Sequence, residues 1–458
     1  MLTYELKKQP GIPLYEALYR CIREDILSGH LRAGEKLPSK RALAENLKIS
    51  KITVEGAYDQ LLAEGYIRSL ERQGYFVEAV ERLFVNTPNP QPPESVKEDC
   101  IDLTSNAPAK FPFSVWSKLQ REVMQELGEE LLLALPNQGL WQLRQAIAQH
   151  LAQFRGMQVS SENILIGAGT DFLYNLLIQL LGRDKIYACE EPGYGKIRRI
   201  YAAGGVGCIS APMDAQGVIP DALENAQVLH ISPSHHYPTG IITPMARRQA
   251  LLAWAGTDRW IIEDDYDSEF RFNAHPMPTM QSLDRQGRVI YMNSFSKTLA
   301  PSIRISYMVL PEALMTEFQK KLGFYSCTVP SFEQYTLARF LSQGYFEKHL
   351  NRMRKFYKAR RNRVLSAIEN SALKDKLSIL EENAGLHFLV KVDTQLTDRQ
   401  LVSRCAAAGI RIRTLSDYCR DTAENSHCLV VNYSGLTDSQ LTGLEEILNS
   451  CLLLSKQI

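Results

Sequence analysis

"RVIYMNSFSKTLAPSIR", residues 288–304, runs from an apolar strand into a loop of small hydroxyl residues. The loop sets Lys297 among Ser294, Ser296 and Thr298 and places Arg304 seven positions on. A lysine in a polar loop is ordinarily a solvated surface group. One whose charge is disfavoured by burial or by a neighbouring cation instead forms Schiff bases with carbonyl compounds. The serine hydroxyls and Arg304 together suit a dianionic phosphate. The same strand-to-loop form recurs in "NILIGAGT" (163–170), "KIYACEEPGYG" (185–195), "QVLHISPSHHYPTG" (227–240) and "WIIEDDYD" (260–267), with helical stretches such as "DFLYNLLIQLL" (171–181) between. Such alternation predicts an α/β fold with a mostly parallel sheet, which binds ligands at the carboxyl ends of its strands.

Two more strand ends carry chemistry. Gly167-Ala168-Gly169-Thr170 opens a helix, whose free N–H groups favour a phosphate; glycine turns at such joints also occur without any ligand. Glu263, Asp264, Asp265 and Asp267 crowd the end of an apolar strand. No histidines at metal-ligand spacing stand nearby, so no metal site is read here. A solvated acidic strand end is one reading. In the other, a single buried carboxylate holds a proton on a cofactor's ring nitrogen. Asp264 and Asp265 are then rivals, because adjacent strand residues face opposite ways. A Schiff-base lysine, a phosphate cup and a ring-nitrogen carboxylate make up what pyridoxal 5'-phosphate requires.

The chain has 458 residues, enough for two to four domains at roughly 100–200 each. It is 45% hydrophobic and 22% charged, with net charge +1, so no charge excess announces a partner. Nine cysteines form no CxxC pair, which gives neither a zinc site nor a disulfide framework. The N-terminus lacks an apolar signal region. No run reaches the ~18 apolar residues of a membrane helix, and the reading is a cytoplasmic protein without a membrane partner. "ERLFVNTPNPQPPESVKEDC" (81–100) carries four prolines within six residues and reads as a linker. It separates residues 1–80 from 101–458.

In the front 80 residues, "LYEALYRCIREDILS" (14–28) repeats Leu14, Leu18, Ile22 and Ile26 on one helix face. Ser39 and Ser50 stand at N-cap positions of two helices separated by "KIS", a helix-turn-helix signature. "YIRSL" and "GYFVEAV" then form a hairpin about "ERQ". In such a winged helix Ser50, Lys51, Ile52 and Thr53 face the bases of the major groove, and Lys40, Arg41 and the wing's Arg72 face phosphates. Against this stands a plain packing module. The region holds 12 Lys and Arg against 11 Asp and Glu, where DNA-binding domains are often more basic. Gly56 inside the second helix should soften it by about 1 kcal/mol relative to Ala.

The stretch 13–77, with Leu37-Pro38-Ser39, Thr53-Val54, Glu64-Gly65-Tyr66 and Gly74, resembles the winged helix of GntR-type bacterial repressors. Residues 101–458 resemble a fold-type I, class I/II aminotransferase: 137–170, "EEPGYG", "SPSHHYPTG", "IIEDDYDSEF" and "SFSKTLAPSIRISYMVLP" occur in that family's order. The combination resembles the MocR subfamily of GntR regulators. The resemblance implies a multidomain chain: a winged helix-turn-helix, a PLP-dependent transferase fold and a smaller C-terminal α+β subdomain from about 345. It implies a cytoplasmic homodimer, domain-swapped head to tail, that binds double-stranded operator DNA and senses a small amino compound, or PLP itself. It also implies roles: Lys297 as the Schiff-base lysine, Asp264 on the pyridinium nitrogen and Tyr266 on the ring hydroxyl. Tyr194 stacks on the ring, Gly169, Thr170, Ser294, Ser296 and Arg304 hold the phosphate, and His235 stands near the ring hydroxyl. One departure is that the C-terminal strand "HCLVVNYSGL" lacks the arginine that aminotransferases place near it for the substrate carboxylate. Arg413 is the substitute, with Arg411 on the same strand face. The alternative is a working aminotransferase; weak or half-reaction turnover at most is the expectation.

Overall fold

The computed structural model describes residues 2–4, 6, 13–71, 73–80, 100–105, 110–223, 225–272, 277–371, 374–381, 385–420, 426–442, 444 and 447. The chain divides into two compact units, Met1–Lys97 and Glu98–Ile458.

In the first unit, helices α1 (Leu14–Ser28), α2 (Lys40–Leu47) and α3 (Lys51–Ala63) precede a hairpin of β1 (Ile67–Leu70) and β2 (Gly74–Val77). Leu18, Ile22, Leu43, Val54, Tyr58 and Leu61 are fully buried where the three helices meet. The capping serines start the helices as their sequence positions require. Ser39 accepts the Ala42 N–H and Ser50 the Thr53 N–H, each at 3.1 Å. Gly56 sits where α3 crosses α1, and a Cβ there would lie 3.3 Å from the Tyr15 ring. The glycine therefore permits a close helix approach, and its propensity cost is offset by packing.

The second unit is built on an eight-stranded sheet. After the short β3 (Ile101–Asp102), its strands are β4 (Ile164–Gly167), β5 (Ile186–Glu191), β6 (Gly207–Asp214), β7 (Gly217–Val218), β8 (Val228–Ile231), β9 (Trp260–Asp264), β10 (Val289–Ser294) and β11 (Ser306–Val309). They stand in the order β4-β11-β10-β9-β8-β5-β6-β7. The pairs from β10 through β9, β8 and β5 to β6 are parallel, whereas β11 runs antiparallel to both β10 and β4. The carboxyl ends of β4, β5, β8, β9 and β10 thus share one edge. Strands β4, β8, β10 and β11 are buried at every residue, as expected of a sheet covered on both faces.

A smaller layer follows. Strands β12 (Leu377–Leu380), β13 (His387–Val392), β15 (Arg413–Thr414) and β16 (Cys428–Asn432) form an antiparallel sheet. The 25-residue helix Tyr345–Glu369 links the layers. Its first turns bury Phe346 and Leu350 in the core of the large sheet, and its later turns bury Tyr357 and Val364 against the small one. The expected single strand around Arg411 and Arg413 is broken. Strand β14 (Ile410–Arg411) pairs with β3, while β15 pairs with β16, so the two arginines enter different surroundings.

Candidate functional site

The shared carboxyl edge opens into a cavity of about 470 Å³. Thr170, Tyr194, Asp264, Tyr266, Ser294, Ser296, Lys297, Arg304 and Arg413 line it, together with Thr104, Glu190, His230, Tyr237, His387 and Asn432. Parallel register explains the convergence. Glu190 is the last residue but one of β5, Asp264 ends β9 opposite Met292, and Ser294 ends β10.

Lys297 lies on the four-residue helix Phe295–Thr298, which Ser294 starts by accepting the Ser296 N–H at 3.1 Å. Burial holds its ammonium below the ordinary lysine range, while the charge of Asp267 works against that shift. Beside it the Ser294 hydroxyl donates to Ser296 Oγ at 2.9 Å. Arg304 adopts a left-handed backbone (φ 52°) and is 52% exposed. Its Nη2 donates to the Ala168 carbonyl at 3.4 Å and lies 3.6 Å from Asp171. Gly169 does not line the cavity. A Cβ on it would lie 2.4 Å from Arg304 Nη2, so the glycine gives the guanidinium its seat.

The two rival aspartates part ways. Asp264 faces the cavity: Oδ2 accepts the Tyr174 hydroxyl at 2.5 Å and lies 3.6 Å from His230 Nε2, and the buried Oδ1 has no hydrogen-bond partner. Asp265 points the other way. It pairs with Arg155 at 2.8 Å and accepts hydroxyls from Tyr291 (2.7 Å) and Ser268 (2.8 Å). Burial pushes its carboxyl up, but Arg155 and those hydroxyls outweigh burial and hold it below the usual carboxylate range. Glu190 is the reverse: burial drives its carboxyl well above the ordinary range, against one hydrogen bond from the Ser232 N–H.

His235 does not itself line the cavity, but its Nδ1 lies 3.3 Å from the hydroxyl of Tyr266, which does. It is buried behind the cavity wall, with Nδ1 3.0 Å from Asp267 and its ring against Gly385, where a Cβ would lie 1.8 Å from it. Tyr237 and His387 line the wall instead. Three groups, His235, Asp267 and His387, bring possible ligand atoms within 4.8 Å of one another, a cluster that sequence spacing could not show because His387 is 152 residues from His235. They form a hydrogen-bonded core: His235 is committed to Asp267, and His387 Nε2 to the Pro238 carbonyl at 3.2 Å. Burial lowers the His387 imidazole well below its ordinary range.

Arg413 lines the cavity near Tyr237 and Tyr418, whose hydroxyls meet at 2.6 Å. Arg411 lies 3.6 Å from Asp102 and is outside the lining. Glu190, His230 and Asn432 were not foreseen. Glu190 and His230 lie in or beside quoted strand ends, but only parallel pairing aims both at one edge.

On the first unit, Lys51 and Ile52 are exposed at the start of α3, Ile52 by 79%. Ser50 and Thr53 share their hydroxyls at 2.8 Å. Arg41 is 85% exposed beside Glu45. Lys40 departs from its phosphate-facing reading. It is 15% exposed, with Nζ 3.1 Å from both Glu55 and Asp59, so it ties α2 to α3. Arg72 lies outside the described residues. Among these residues no helix is long and apolar enough to cross a membrane.

A winged helix ahead of an aminotransferase-type sheet defines a class of DNA-binding regulator. The family model for bacterial regulatory proteins of the gntR family matches residues 14–77. The chain is 38% identical to the uncharacterized HTH-type transcriptional regulator YdeL of Bacillus subtilis, over 91% of this chain and 92% of that one. It is 33% identical to the probable rhizopine catabolism regulatory protein MocR of Rhizobium meliloti, over 90% and 88%. The chain belongs to the MocR-type GntR family of transcriptional regulators. Its fold matches a crystal structure of a Pyrococcus horikoshii kynurenine aminotransferase with TM-score 0.69 at 23% identity, covering 83% of this chain and 99% of that one. The regulator reading is thereby favoured over the enzyme.

Proposed function

We propose that the cavity holds pyridoxal 5'-phosphate and that a primary amine entering it alters the binding of operator DNA. The carrying observation is the unpartnered, buried Oδ1 of Asp264, a residue lining the same cavity as Lys297 and the Ser294, Ser296 and Arg304 cup. A free acceptor in a closed wall suits a protonated ring nitrogen. When bound, the cofactor supplies an aldehyde that exchanges its covalent partner between a lysine and an incoming amine.

The chain's own residues do the rest. Lys297 Nζ, biased towards its neutral form, is the nucleophile. Ser294, Ser296, Thr170 and Arg304 bind the phosphate, with Gly169 seating Arg304. Asp264 orients the ring, and Tyr174 and His230 hold Asp264. Tyr194 and Tyr266 border the ring. Glu190, whose carboxyl burial pushes well above the ordinary range, borders the ring from the wall. Arg413, with Tyr237 and Tyr418 beside it, receives an effector carboxylate.

On the first unit, α3 enters the major groove with Ser50, Lys51, Ile52 and Thr53 towards the bases, and Arg41 and Arg72 face phosphates. Exposed Phe113, Leu132, Leu133 and Trp141 on the second unit support a homodimer, with two winged helices for two half-sites. Gel-shift titration of the full chain on its own upstream DNA, with and without amines, tests this. A salt-sensitive, sequence-preferring shift that amines change is expected. Lys297→Ala should keep DNA binding and lose both the visible absorbance of the bound cofactor and the amine response. A persistent band in that variant would remove Lys297 from its role.

A further inference from the structure

Cys189 and Cys208 stand on neighbouring strands beside the cavity wall. Cys189 ends the apolar part of β5, one residue before Glu190, and lines the cavity. Cys208 lies on β6. The parallel register pairs Cys189 with Ser210 and Cys208 with Tyr187, so the two cysteines are diagonal neighbours on one face of the sheet. Their sulfurs are 3.4 Å apart. Of the other described cysteines, Cys327 bonds to the Ile166 carbonyl and accepts from Gln334, and Cys419 bonds to the Leu415 carbonyl.

The surroundings of the two thiols differ. Cys189 is buried and Cys208 is half-exposed near the sheet edge. The contact with Cys189, and then the guanidiniums of Arg198 and Arg420, hold the Cys208 thiol below its ordinary range. The same contact and burial push Cys189 up. The half-exposed Cys208 is therefore the sulfur an oxidant reaches first, and the buried Cys189 stands behind it as a resolving thiol. Arg198 is itself fixed, paired with Glu191 and donating to the Tyr418 carbonyl.

We propose that Cys189 and Cys208 are a reversible dithiol–disulfide site, oxidised by a hydroperoxide, that alters the cavity wall from the side of Glu190 and Tyr194. The Cys208 thiolate attacks one peroxide oxygen, the O–O bond breaks, and the departing hydroxide takes a proton to become water. Cys208 is left as a sulfenic acid. The Cys189 sulfur then attacks Cys208 Sγ; the S–S bond forms, the S–O bond breaks, and the oxygen leaves as water with the Cys189 proton. Two thiols lose two electrons in all, and the peroxide gains them. A dithiol restores the reduced pair. Closing a 3.4 Å contact to a bond of about 2.05 Å draws β5 and β6 together directly before the turn that carries Tyr194.

This consequence rests on the proposed cofactor cavity, but the linkage does not. The full chain, reduced and free of cofactor, is titrated with hydrogen peroxide and digested with trypsin without reductant. Cleavage after Lys196, Arg198 and Arg199 puts the two cysteines on different peptides. The expected result is one linked peptide joining them, loss of two of the nine thiols, and full reversal by dithiothreitol. Cys208→Ser should keep the Cys189 thiol reduced at the same peroxide dose, while Cys189→Ala should stop at the Cys208 sulfenic acid, trapped by dimedone. Scrambled links, or no link while the protein stays folded by circular dichroism, would overturn the site. If the link forms but oxidised and reduced protein bind pyridoxal phosphate equally, the coupling to the cavity is overturned and the thiol site stands.

Discussion

Replacing Asp265 by Asn leaves the Arg155 guanidinium buried without its counter-charge. Breaking a buried pair from one side costs about 3–5 kcal/mol, so Asp265→Asn should lower the urea midpoint of the second unit strongly. Asp264→Asn strips no buried guanidinium of its partner and should leave that midpoint nearly unchanged. It should instead weaken cofactor binding by roughly ten- to a hundredfold, the worth of a hydrogen bond to a charged group, as read by equilibrium dialysis. If the two variants behave alike, the assignment of inward and outward aspartate fails. Glu269 gives a pH test. Burial and then the charge of Asp265 push its carboxyl up to about 7 from 4.5. The folded state therefore holds this proton to higher pH than the unfolded chain does. The associated stability is present below about 4.5 and is lost as pH rises through about 7. Melting curves of Glu269→Gln against wild type should show the variant gaining on wild type across that window, with no relative change below it.

Among the elements, α3 depends on its cap. Ser50→Ala removes the acceptor for the Thr53 N–H and should cost about 1 kcal/mol. By hydrogen exchange that is roughly fivefold faster opening of the first turn of α3, with α1 unaffected. Gly56→Ala should not return the ~1 kcal/mol that propensity alone promises, because the added methyl meets Tyr15. Sequence reasoning read this helix's ends from Ser50 and Gly65 and its inward face from Val54, Tyr58 and Leu61. Those signals are local. It misses the ion pairs of Lys40 and the packing role of Gly56 for one shared reason: both are set by a partner helix, and a single strand of sequence carries no crossing geometry. The same limit applied to the cavity. Strand ends were legible one at a time, as apolar runs stopped by polar residues. Which face of β9 meets the cavity depends on pairing across β8, β9 and β10.

For the whole molecule, DNA affinity should fall as salt rises, with a log–log slope set by the number of phosphates neutralised. Since the first unit is nearly neutral and Lys40 is spent on Glu55 and Asp59, that slope should be shallow, and Arg41→Ala should flatten it by about one. A Leu132→Asp, Leu133→Asp double variant tests the homodimer. Sedimentation should report a monomer where wild type sediments as a dimer, and DNA affinity should fall while circular dichroism is kept.

Strand β3 lies at the point where the chain enters the second unit, and it is made fast on every side. The Ile101 N–H bonds to the Gly409 carbonyl at 2.8 Å, that of Leu103 to Arg411 at 2.9 Å, and the Asn432 N–H to the Leu103 carbonyl at 2.9 Å. Thr104 and Asn432 are themselves lining residues, and Arg413 follows two positions after Arg411. The first residues of the second unit are thereby moored by main-chain hydrogen bonds to Asn432, part of the cavity lining, so this wall and the start of the unit move as one piece.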